Sequence, residues 1–158
     1  MDFSLFLFFF AAIVTASSGA IFRPGRDYET LNFPSWRPPN YLFGPVWMAL
    51  FIMIAVSGWL VWQATGGEGA GRLALIVYAV QLVLNFLWSA IFFGLKRRGL
   101  ALFEMSLLWL SILALIVLFY PISPLAAYLL VPYILWVSFA FFLNFTMFRL
   151  NRAEPGIA

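Results

Sequence analysis

Gln81, Asn85, Trp88 and Ser89 recur within a stretch that is otherwise apolar. At about 100° per residue these positions, together with Phe92, fall in one arc of roughly 100° on a helix. Amides and hydroxyls are expensive to carry into hydrocarbon, so the stripe is expected to face a protein interior or a cavity rather than lipid. An indole plane beside convergent amides suits a flat, partly polar ligand. Two other segments offer further walls. One runs from Trp36 through Arg37, Pro38, Pro39, Asn40 and Pro45 to Trp47, with Trp47 and Phe51 on one face a turn apart. In the other, Pro132, Trp136, Ala140 and Asn144 repeat every four residues. Pro132 is expected to kink its helix and free a carbonyl that a neighbouring group must satisfy.

Each feature has a plainer reading beside the functional one. Gln81, Asn85 and Asn144 would serve equally well to hydrogen-bond helices to one another, at roughly 1 kcal/mol per contact. Trp59, Trp62 and Trp109 read as interfacial-belt or lipid-facing residues, and Trp36 as an anchor for its loop. Periodicity leaves packing and pocket both open.

The elements that must position these residues follow from composition. Of 158 residues, 65% are hydrophobic, 20% aromatic and only 9% charged. That is too little polar surface for a soluble domain, so the chain reads as a single integral membrane domain over residues 1–158. Five segments are long enough to cross a bilayer of about 30 Å: Phe3–Phe22, Leu42–Thr65, Leu73–Leu95, Leu100–Tyr120 and Leu125–Phe148. The expected architecture is an all-α bundle of five transmembrane helices with a long, lid-like loop between the first two.

Charge distribution orients that bundle. Arg23, Arg26, Arg37, Lys96, Arg97, Arg98, Arg149 and Arg152 fall on one side, and only Arg72 opposite. The bias predicts a cytoplasmic C-terminus and an N-terminus outside. Basic residues spread along membrane boundaries are not a nucleic-acid surface, so no nucleic-acid partner is expected. The chain holds no cysteine and no histidine, which removes disulfides, thiolate nucleophiles, imidazole bases, zinc sites and histidine-ligated haem. No metal site is expected. The first span is read as retained rather than cleaved, because Met1-Asp2 supplies no basic leader.

The loop from Arg23 to Tyr41 carries four prolines, which favour extended turns over a long helix, and Tyr28, Leu31, Phe33 and Trp36, which favour packing over the bundle. Ala12, Ala16 and Ala20, and Ala90 with Gly94, are small residues four apart that permit close helix approach. Intramolecular packing and a homodimer seam both account for them, and a homodimer is expected. Glu104 is the only formal charge inside a span. An acid there is expected to face the interior or pair with Arg98 or a loop arginine.

Taken together, these motifs resemble the TspO/MBR family (translocator protein, tryptophan-rich sensory protein). The matching features are Trp-x-Pro-Pro at Trp36–Pro39, Pro-x-Trp at Pro45–Trp47, Gln-Leu-x-x-Asn-x-x-Trp-Ser at Gln81–Ser89, and Pro-Tyr-x-x-Trp at Pro132–Trp136 followed by Leu143-Asn144. The resemblance implies a pocket beneath the first loop that binds porphyrins such as protoporphyrin IX, with no obligatory cofactor. By motif position it implies Tyr28, Trp36, Trp47, Phe51, Asn85, Trp88, Ser89, Trp136 and Ala140 as ligand-binding residues. The family's sterol segment needs a tyrosine where this chain has Phe145, so sterol binding is not carried over.

Three functions follow: a porphyrin-binding receptor or sensor, a light- and oxygen-dependent porphyrin-degrading enzyme, and a porphyrin or lipid transporter. The residues supply no conventional catalytic set, so an enzyme would work by ligand photochemistry steered by Trp47 and Trp136. Transport is disfavoured because five spans do not divide into two repeats.

Overall fold

A computed structural model describes residues 3–151; Met1, Asp2 and Arg152, which entered the reading of the first span and of the charge bias, lie outside the described residues. Every regular element among those residues is helical. Five spans, Phe3–Ile21, Asn40–Thr65, Ala70–Gly94, Arg98–Phe119 and Pro124–Asn151, are long and apolar enough to cross a bilayer. Each lies within a few residues of its expected position.

The first span is two helices, α1 (Phe3–Ala16) and α2 (Ser18–Ile21), separated at Ser17. The hydroxyls of Thr15 and Ser17 turn back onto the carbonyls of Ala11 and Val14, competition that bends a helix. The proline-rich loop forms only a single turn, α3 (Arg26–Glu29), and a 3-10 turn at Asn40–Leu42, as its prolines require. The second span, α4 (Phe43–Thr65), ends on Gly66 at φ 63°, a left-handed cap that glycine adopts without steric cost. α5 (Ala70–Ser89) widens into a π-helical turn at Ala90–Gly94 before α6 (Arg98–Phe119) returns.

The last span breaks where Pro132 predicted a kink. α7 (Pro124–Leu129) stops at Leu130, and α8 (Val131–Asn151) restarts with Pro132 in its first turn. Leu130 N–H bonds the Ala127 carbonyl at 3.1 Å. The Ala126 carbonyl accepts instead from Ser57 Oγ on α4 at 2.9 Å, in a fully buried contact. The carbonyl that Pro132 leaves without its helical donor is that of Tyr128, four residues back; Ser57 instead satisfies one freed by the turn at Leu130.

The half of the bundle away from the first loop is packed solid around Ile54, Val61, Ala74, Ile112, Leu115 and Phe119, all fully buried. Gly58 permits this: a Cβ there would lie 2.6 Å from Tyr78 Cζ and 2.9 Å from Phe8 Cδ1. Without a hydrophobic drive between helices in lipid, such close contact supplies the cohesion. Gly94 does the same against Phe22, so small residues here serve packing within the chain.

Candidate functional site

The other half of the bundle is hollow. A cavity of about 800 Å³ lies between the first loop and the helices, bordered by Tyr28, Trp47, Phe51, Asn85, Trp88, Ser89, Trp136 and Ala140. Eight of the nine residues singled out in the sequence thus meet around one space. Trp36 does not: it is 48% exposed and packs edge-on against Phe139, 5.9 Å between ring centroids. It anchors the loop from outside the cavity.

The polar stripe of α5 divides between cavity and support. Gln81 is wholly buried but does not border the cavity; its Oε1 accepts from the Tyr133 hydroxyl at 2.9 Å. Tyr133 in turn accepts from Asn85 Nδ2 at 2.7 Å. The helix-to-helix reading is therefore right for Gln81, while Asn85 both bridges to α8 and faces the cavity. Asn144 also borders the cavity, and its amide points at Met105 Sδ, 3.7 Å away. Amides meant for lipid would lie on the outside; these lie within.

The aromatic walls are braced by other rings. Trp88 stacks on Phe92 at 5.0 Å and 19°, and Trp47 meets Phe51 at 5.6 Å and Tyr133 at 6.3 Å. Trp136 packs against Phe43 at 5.6 Å. The indole N–H groups of Trp88 and Trp136 are buried and have no hydrogen-bond partner among the described residues.

The loop covers one end. Tyr28 contacts Phe33, Phe92 and Phe93 with centroids 5.2, 6.0 and 5.3 Å apart. Burial there raises the Tyr28 phenol above its usual value, with Arg37 and Arg98 pulling the other way. Arg37 donates to Asn40 Oδ1 and lies over the Phe33 ring at 3.6 Å. The loop main chain is fixed at Asn32, whose N–H donates to Asn151 Oδ1 at 2.8 Å and whose carbonyl accepts from Asn151 Nδ2 at 2.9 Å.

Two expectations are corrected. Glu104 is buried as expected, at 5% exposed, but neither carboxylate oxygen has a hydrogen-bond partner among the described residues. Arg98 does not pair with it: six positions along one helix turn the two side chains about 120° apart, and the Arg98 guanidinium sits 5.1 Å over the Phe92 ring. Trp109 is no simple lipid-facing residue, because its indole N–H donates to Ser138 Oγ on α8 at 2.8 Å. Finally, Ala12 and Ala16 border the cavity, as do Phe9 and Ile13. The sequence reading gave α1 no part in the site; its small-residue spacing was the available signal, but that spacing suits a packing seam equally well.

Comparison with known proteins places this geometry. Residues 4–150 match the family model described as TspO/MBR family. The chain is 41% identical over 158 residues to "Protein CrtK" of Rhodobacter capsulatus, covering 99% of both chains. It is 39% identical over 156 residues to the "Tryptophan-rich sensory protein" of Cereibacter sphaeroides, covering 98% of this chain and 96% of that one. It is also 39% identical over 132 residues to the human "Translocator protein", covering 83% and 78% respectively.

Proposed function

The chain belongs to the TspO/MBR family as an integral, multi-pass membrane protein, and from that premise we propose that its cavity is a receptor site for tetrapyrroles, protoporphyrin IX foremost. The observation that carries this reading is the convergence of Trp47, Trp88 and Trp136 with Asn85 and Ser89 around one space of about 800 Å³. That volume is within the usual range for a buried organic ligand. Indole faces favour a flat aromatic ring. The amides of Asn85 and Asn144 and the hydroxyl of Ser89 on the same space suit the polar edge of such a ring. A chain with no histidine or cysteine gives iron no strong ligand, so the metal-free ring is the better match. Occupancy of the cavity would be the sensed event, reported through the first loop that roofs it.

The test is titration of protoporphyrin IX into purified protein, followed by tryptophan fluorescence. Saturable quenching, with no large advantage for haem, is the expected result; linear, unsaturable quenching would refute the receptor reading.

Trp47 and Trp136 on the same cavity support a second reading, in which bound porphyrin is broken down by light and dioxygen. Illumination of the aerobic complex and a search for bilin-like products separates it from passive binding. The basic bias of Arg23, Arg26, Arg37, Lys96, Arg97, Arg98 and Arg149 supports a cytoplasmic C-terminus. We further propose a homodimer, for which the exposed apolar faces of the bundle are the support.

A further inference from the structure

The cavity is bounded differently on its two open sides. Below the loop it is roofed by Tyr28, and Asn151 clamps the loop backbone at Asn32 from both its N–H and its carbonyl. Toward α1 and α4 the lining residues are themselves exposed on the outside: Ile13 at 65%, Met48 at 67% and Ile52 at 48%. A residue that borders a cavity and also lies open on the outer face marks an opening.

The helices on either side of that opening part for identifiable reasons. At the far end they are held together, by Phe8 against Gly58 and by Gln63 Nε2 donating to Ser4 Oγ at 3.2 Å. At the loop end both rims carry glycine. Gly19 and Gly44 border the cavity, and a Cβ built on either would meet no atom within 4 Å. The break at Ser17 falls on the same side. These residues lie inside the apolar spans Phe3–Ile21 and Asn40–Thr65, and at 1.5 Å per residue Ile13 is about 12 Å in from the end of its span. The opening therefore faces acyl chains over much of its height.

We infer that the cavity is entered sideways from the bilayer, through the cleft between the α1–α2 span and α4, by a ligand already dissolved in the membrane. Gly19 and Gly44 keep the cleft clear, and Met48, with its flexible side chain, and Ile52 form its movable edge. The identity of that ligand rests on the receptor reading; the route does not.

Because the chain contains no cysteine, Ser89→Cys puts a single thiol on the cavity wall. In lipid vesicles, its labelling by an uncharged, bilayer-dissolved maleimide is compared with labelling by a permanently charged, water-borne methanethiosulfonate. The apolar reagent is expected to label it. Adding Gly44→Phe, or separately Gly19→Leu, is expected to slow that labelling about tenfold, while Asn151→Ala leaves it unchanged. A Cβ at either glycine meets no atom within 4 Å, and an unchanged thermal midpoint confirms that the variants fold. Labelling that ignores both glycine variants, or that Asn151→Ala accelerates, would overturn the lateral route. Protoporphyrin association and dissociation should both slow when Gly19→Leu or Gly44→Phe is placed in the parent chain. A chain labelled through the cleft that binds no porphyrin would refute the receptor reading and leave the route standing.

Discussion

The hydroxyl of Tyr133 on α8 accepts a hydrogen bond from Asn85 Nδ2 on α5 at 2.7 Å, and this contact holds the amide that borders the cavity. Tyr133 is wholly buried and donates its own hydrogen bond to Gln81 Oε1, so one phenol braces two amides of the same helix. Polar groups in a membrane bundle need such partners, and here the partner also sets the wall of the site.

Tyr133→Phe keeps the ring and removes the bridge. It leaves Asn85 Nδ2 and Gln81 Oε1 to find new partners inside an apolar bundle, at a cost of about 1–3 kcal/mol. Thermal unfolding in detergent should show a lower midpoint than the parent, and porphyrin affinity should fall with it. An unchanged midpoint would mean the network is not braced by this phenol.

Ala140 borders the cavity beside Trp136 and is nearly buried. Ala140→Leu projects three further carbons into the space without opening the helix. Affinity for protoporphyrin IX is expected to drop about tenfold, equivalent to roughly 1.4 kcal/mol, while the thermal midpoint holds. Binding by isothermal titration alongside a melt separates lost space from lost fold.

Tyr28 supplies a pH signature for the loop. Burial raises its phenol above the usual 10.0, the arginines Arg37 and Arg98 partly opposing. With the docked value above the undocked one, docking has its full stability below pH 10 and loses it as pH climbs through the raised value. Cleavage of the loop by a non-specific, alkali-active protease should therefore accelerate in alkali in the parent chain. Tyr28→Phe should abolish that alkaline step; a step that persists in the variant belongs to another group.

Much of this architecture is legible in the residues themselves, for physical reasons that differ by element. Hydrocarbon imposes a length and a polarity rule, so the spans could be placed within a few residues, and an amide stripe such as Gln81 to Ser89 had to turn inward. Pro132 cannot donate a backbone bond, so a break near it was forced. What periodicity could not separate was Gln81 from Asn85, because both share the inward face and only their depth along the bundle decides which one meets the cavity. The contribution of α1 was hidden for a similar reason. Ala12 and Ala16 are small whether a neighbour packs against them or leaves a void, and that choice depends on where α4 diverges. Glu104 has to turn inward, as it does, but sequence nearness offers Arg98 or a loop arginine as its partner, and helix geometry separates it from Arg98.

The most direct test of the central claim is the protoporphyrin IX affinity of the Trp47→Phe, Trp136→Phe double variant, measured by quenching of the remaining tryptophans. Two indole walls replaced by smaller rings should weaken binding by about tenfold or more, at roughly 0.5–1.5 kcal/mol per lost stacking contact, with the fold intact by circular dichroism. An affinity equal to that of the parent chain would contradict the account, because porphyrin would then be held somewhere other than this aromatic cavity.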